Sequence, residues 1–136
     1  MIDAQDVLLL VARVLMATMF FTSARDKFRF DATEVQQVAS LHLPVPTLFL
    51  ALTGVFEGAG GVALVLGVYA RVAAGALALF TAFVSLVFVR FWSFKGPSEM
   101  RTILRNTFVG NVAITGGLIY IAVLGPGALA LKGRWS

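Results

Sequence analysis

The sequence predicts an all-α integral membrane protein: four transmembrane helices in an up-down-up-down bundle, with a short interfacial helix between helices 1 and 2. Three observations carry that expectation. Hydrophobic residues make up 59% of the chain and charged residues 13%, where a soluble domain carries about 25% charge. Four apolar runs each have roughly the 17–25 residues needed to cross the hydrocarbon of a bilayer. The connections between them are short, which makes successive helices antiparallel neighbours.

The first span covers residues 7–24 and ends at the charged cluster Arg25-Asp26-Lys27. Acidic Asp3 and Asp6 replace the basic start of a leader peptide, and Arg13 interrupts the apolar stretch, so this span is expected to stay as a helix. From Asp31 to Leu43 the chain turns polar. Asp31-Ala-Thr-Glu34 has the spacing of a capping box, and Val35, Val38, Ala39 and Leu41 recur at helical intervals before Pro44. That pattern predicts the interfacial helix. The second span, 46–67, is opened by Pro44 and Pro46 and closed by Gly67. Val68-Tyr69-Ala70 allows only a hairpin into the third span, 72–91. The fourth, 102–124, stops at Gly125-Pro126-Gly127. The whole chain, 1–136, reads as one membrane domain.

The net charge of +4 does not point to nucleic acid, because the basic residues sit at the ends of apolar runs and form no aromatic-interleaved face. Arg25, Lys27, Arg29, Arg90, Lys95, Arg101 and Arg105 flank one side of the spans, against Arg71, Lys132 and Arg134 on the other. Seven against three predicts both termini outside the cytoplasm. The chain has no cysteine, which excludes cysteine nucleophiles, disulfide exchange and thiolate metal sites. No metal site is expected. The lone His42 reads as a solvated or capping residue.

Acids inside a membrane are costly unless neutralised or paired, so Glu57, in the middle of the second span, must face a protein interior. Thr53, Gly54, Gly60, Gly61 and Leu64 fall on its face at 100° per residue, and Gly54 with Gly58 forms a GxxxG pair. Such small residues let helices approach closely. Arg13, Ala17, Phe20, Ala24 and Lys27 make a stripe on the first span. Asn106, Gly110, Ala113 and Gly117 make one on the fourth. Counting depth from the span ends predicts an ion pair between Arg13 and Glu57, either a lock on helix register or a group that carries protons or touches a substrate. The third span offers apolar and aromatic residues and no evident buried polar group. The candidate ligand-binding residues are therefore Arg13, Lys27, Glu57 and Asn106, between spans one, two and four; no catalytic residue is assigned. The aromatic groups around Phe88, Phe91 and Trp92, and around Phe20 and Phe28, fit interfacial anchors or an apolar slot for a quinone head.

These residues form a pattern that resembles the DoxX family of small four-helix bacterial membrane proteins. The resemblance rests on Arg13 followed by Ser23-Ala-Arg-Asp-Lys27-Phe28, on Leu43-Pro44-Val45-Pro46, and on Val55-Phe56-Glu57-Gly58-Ala59-Gly60-Gly61. Gly67 to Arg71, Phe91-Trp92, Arg105-Asn106, Gly116-Gly117 and Gly125-Pro126-Gly127-Ala128-Leu129 extend it along almost the whole chain. The chain departs from the family at Val89-Arg90, where members often carry a histidine. By position, Arg13, Lys27, Glu57 and Asn106 match the family's recurrent polar residues. The resemblance implies membrane redox metabolism in the bacterial inner membrane: an accessory or assembly subunit of a redox complex, without catalysis of its own. Its alternatives are a quinone-linked oxidoreductase of the thiosulfate:quinone type and a small-molecule or lipid carrier. The expected surroundings are the lipid bilayer and other membrane protein subunits. No cofactor is expected in the chain itself, with a quinone as the one it could take.

Overall fold

A computed structural model describes residues 2–29 and 46–130. The expected interfacial helix over 31–43, His42, Lys132 and Arg134 lie outside them. The described residues form α1 (Ala4–Phe28), α2 (Pro46–Leu66), α3 (Ala70–Phe88), a 3₁₀ turn at Phe91–Ser93, and α4 (Ser98–Leu124). All four α-helices are long and apolar enough to cross a membrane.

Helix ends and span ends differ, for a physical reason. The capping box sits at the start of α1: the Asp6 amide donates to Asp3 Oδ1 at 3.0 Å and the Asp3 amide to Asp6 Oδ2 at 3.2 Å. At the other end, Arg25 and Lys27 lie in the last turn, where cations favour the helix dipole. Charges end the hydrocarbon-crossing stretch there but prolong the helix. Between α2 and α3, Gly67 (φ 75°) and Tyr69 (φ 50°) adopt left-handed backbone. The Gly67 amide closes α2 on Ala63 O at 2.8 Å, a helix stop that glycine permits without steric cost.

Packing follows from the small residues of α2. A methyl group built at Gly61 would lie 2.7 Å from the Phe21 ring, one at Gly58 3.9 Å from Ala24, and one at Gly54 3.1 Å from the Phe28 ring. Those pairs set α1 and α2 antiparallel. Gly60 receives Leu77 of α3, and Phe56 stacks at a tilt on Phe80 with ring centroids 5.3 Å apart. Ser85 bonds Asn111, and Arg71 reaches Leu124 O, so α3 and α4 are antiparallel too. Met16 against Gly117 and Leu9 against Gly127 bring α1 to α4. The bundle runs up-down-up-down around Ala17, Phe20, Leu64, Leu77 and Leu118. Leu8, Leu15, Leu79 and Val123 stand more than 60% exposed, a surface that suits lipid.

Of the stripe expected to face inward from the fourth span, Gly117 does so, against Met16, and the rest does not. Asn106 and Ala113 are exposed, and a methyl group at Gly110 would meet open space. α4 buries Leu118 and Ile121 instead, in one cluster with Ala70, Ala74 and Ala78 of α3. The small side of this contact belongs to α3, which lets the larger residues of α4 come close.

Candidate ligand-binding site

Of the positively charged side chains of α1, Arg13 is buried and Lys27 partly buried, and they have different partners. Arg13 is 1% exposed. Its Nη1 donates to Leu64 O at 2.8 Å and Val65 O at 3.1 Å, and its Nη2 donates to Leu129 O. The carbonyls in the last turn of a helix have no partner within it, so the guanidinium completes α2 and ties down the chain beyond α4.

Lys27 has the acid. Its Nζ donates to Glu57 Oε1 at 2.9 Å and to Ser23 Oγ at 2.8 Å, with the Lys27 and Glu57 side chains 16% and 3% exposed. The expected Arg13–Glu57 pair is therefore not formed. The glycine contacts place Glu57 level with Ala24 and Arg25, about 18 Å along α1 from Arg13 at 1.5 Å per residue. Depth counted from the span ends misjudged this because α1 projects past the end of α2, leaving Arg13 beside the Gly67 turn.

Next to the ion pair lies a cavity of about 210 Å³. Lys27 lines it from α1, Leu50 and Thr53 from α2, Phe80 and Phe88 from α3, and Thr107 from α4. Its walls are mostly apolar and aromatic, and Lys27 is its charged group. The third span therefore supplies walls of the cavity and buried polar groups as well: Thr81 and Ser85 are 3% and 4% exposed. The Ser85 hydroxyl donates to Thr81 O at 2.8 Å and accepts from Asn111 Nδ2 at 2.9 Å. Asn111, not Asn106, is the α4 amide that reaches a neighbouring helix.

Of the four sequence candidates, the fold brings Lys27 and Glu57 together. It puts Arg13 at the far end and Asn106 on the outside. Thr81, Ser85 and Asn111 were missed. The signal for Thr81 and Ser85 was their spacing with Ala74 and Ala78, one small or hydroxylated face at helical intervals.

Three buried side-chain atoms lack a hydrogen-bond partner among the described residues, Arg13 Nε, Glu57 Oε2 and Thr81 Oγ1, and none of these residues lines the cavity. Outside the cavity, Phe91, Trp92 and Phe108 stack edge to face with centroids 5.3–5.6 Å apart, and Arg90 lies 5.9 Å over the Trp92 ring. Arg25, Lys27, Arg29, Arg90, Lys95, Arg101 and Arg105 all gather at this end of the bundle.

The chain is 32% identical over 132 residues to the inner membrane protein YphA of Escherichia coli K12, covering 96% of this chain and 92% of that protein. It is 31% identical over 127 residues to the inner membrane protein YqjF of the same organism, covering 93% and 91%. No solved structure matches significantly. The DoxX family model matches residues 8–90, the stretch that holds Arg13, Lys27, Glu57, Thr81 and Ser85, and the chain belongs to the DoxX family.

Proposed function

We propose that this protein is a quinone-binding accessory subunit of a membrane redox complex in the bacterial inner membrane, with both termini outside the cytoplasm. The observation that carries the reading is the cavity beside Lys27. Its aromatic and aliphatic walls suit a flat ring, and a lysine offers donors and no acceptor. Two of those donors are engaged by Ser23 and Glu57, which hold the ammonium at the wall and leave a third for a ring oxygen. A site of this kind, mostly apolar with few placed polar groups, is the common form of a small-ligand pocket. A bound quinone would supply the electron-transfer chemistry. The chain's own residues bind the ring, orient it through Lys27 and keep water away from it. The basic end of the bundle supports the orientation, since cytoplasmic flanks are enriched in Lys and Arg.

Purification in mild detergent, followed by solvent extraction and mass spectrometry, tests the reading. A stoichiometric quinone and reproducible partner subunits are expected, with at least tenfold less quinone in Lys27→Met. Preparations that carry neither overturn it. A C-terminal reporter that is active only in the cytoplasm would reverse the orientation.

A further inference from the structure

We infer that the outer groove between α3 and α4 holds one anionic phospholipid, with its phosphate between Arg101 and Arg105 and an acyl chain along the groove. This site lies on the lipid-facing side of the bundle and is independent of the quinone reading. Arg101 and Arg105 are exposed, one helical turn apart on α4, and point within about 40° of each other at 100° per residue. The ion pairs among the described residues are Arg25–Asp26 and Lys27–Glu57, so neither guanidinium has an acid there. Glu99 of the first turn points to the other side of the helix, about 200° from Arg101. Ser98, Thr102 and Phe91 complete a recess around the two arginines. Guanidinium forks match the oxygens of a phosphate.

Depth fits a headgroup. α4 has 27 residues, about 40 Å at 1.5 Å per residue, against about 30 Å of hydrocarbon. With Leu124 at one edge of the hydrocarbon, Arg105 falls at the other edge and Arg101 one turn farther out. The edge-to-face cluster of Phe91, Trp92 and Phe108 lies at the same level, where aromatic belts meet the headgroups.

Below the arginines the same face of α4 continues as Phe108, Val112, Gly116 and Ile119, all within about 60° of Arg101. With Ala82 and Leu86 of α3 these residues wall a groove of about 410 Å³. Its hydroxyls are already spent, since Ser85 and Thr115 donate to carbonyls of their own helices. The Phe91–Phe108 stack joins the recess to the groove. From Arg105, ten residues of α4 reach Thr115, about 15 Å away, which is half the hydrocarbon thickness and the depth of one leaflet. Cationic recess and apolar groove are thus spaced as the two parts of one lipid. A zwitterionic lipid brings the same phosphate with an added ammonium. The connection from α3 to α4 contributes Arg90 and Lys95 and no acid, so a headgroup of net negative charge is favoured.

The test is native mass spectrometry of the full chain in mild detergent, titrated with equal amounts of phosphatidylglycerol and phosphatidylcholine of identical acyl chains. One phosphatidylglycerol should be retained, preferred by about tenfold or more, the scale set by two arginines near an anionic surface. Arg101→Gln combined with Arg105→Gln should bring the preference close to one. A methyl group at Gly116 meets nothing, so Gly116→Phe fills the groove without a clash and should lower lipid retention about fivefold or more by removing apolar contact. Glycerol phosphate, a head without a chain, should not displace the lipid. Equal retention of the two lipids, a preference that survives the double arginine variant, or displacement by glycerol phosphate overturns the inference. Loss of a co-purifying protein in Gly116→Phe with the lipid retained assigns the groove to a partner helix and overturns it too. Should Gly116→Phe not fold, the wild-type preference and the double arginine variant decide alone.

Discussion

The two ends of the bundle each draw a cation of α1 inward, and each holds it by different means. Arg13 lies beside the end of α2, where Leu64 O and Val65 O have no further turn to bond. Backbone alone supplies its acceptors, and the rigid fork of a guanidinium can serve several at once. Lys27 lies beside the first half of α2, whose carbonyls are committed to the helix. A cation there needs a side-chain acceptor, and Glu57 provides it. The first arrangement binds the ends of the fold together. The second sets a lysine, held by its acid, at the wall of a cavity. Function is expected at the end where the ion pair borders a cavity.

Arg13→Leu should have the largest effect. It strips three carbonyls of a charged donor, a loss of about 3–5 kcal/mol, measurable by reversible unfolding in mixed micelles. Arg13→Lys should recover only part of it, because an ammonium cannot reproduce the fork. Wild-type stability in Arg13→Leu would erase the contrast between the ends. Next, Lys27→Met and Glu57→Leu should each cost about 3 kcal/mol singly by leaving one buried charge, with the double variant clearly more stable than the sum of the two losses predicts. Combined with Arg13→Leu, either should simply add, since separated sites are independent.

Between the ends, Gly60→Val should cost about 1–3 kcal/mol by overpacking, because a methyl group at Gly60 would already lie 2.9 Å from Leu77. The smallest effect belongs to Gly110→Ala, which meets nothing. It should be neutral or stabilise by up to about 1 kcal/mol through helix propensity. The same unfolding assay ranks all four.

Much of the fold was legible because bilayer thickness dictates run length, and four runs of that length can be counted in the sequence. Helix ends were less legible: Arg25, Asp26 and Lys27 read as a stop, yet α1 continues to Phe28. The site was half legible. Glu57 stood out because an acid in an apolar run is conspicuous, but its partner depended on how far α1 projects past α2, a quantity no single span contains. Gly110 and Gly61 look alike in sequence. Only the presence of Phe21 beside one, and of nothing beside the other, tells them apart. Thr81 and Ser85 escaped notice because hydroxyls barely lower hydropathy, and Ser85 hides its own proton on Thr81 O.

The bond from Arg13 to Leu129 O spans 116 residues of sequence. Arg13 leaves the ribosome well before Leu129, so the arginine enters the membrane before that partner exists. Until α2 arrives to offer Leu64 and Val65, that guanidinium must be sheltered by headgroups, by water or by the insertion machinery. A chain interrupted before Leu129 therefore carries an arginine whose bonding is incomplete.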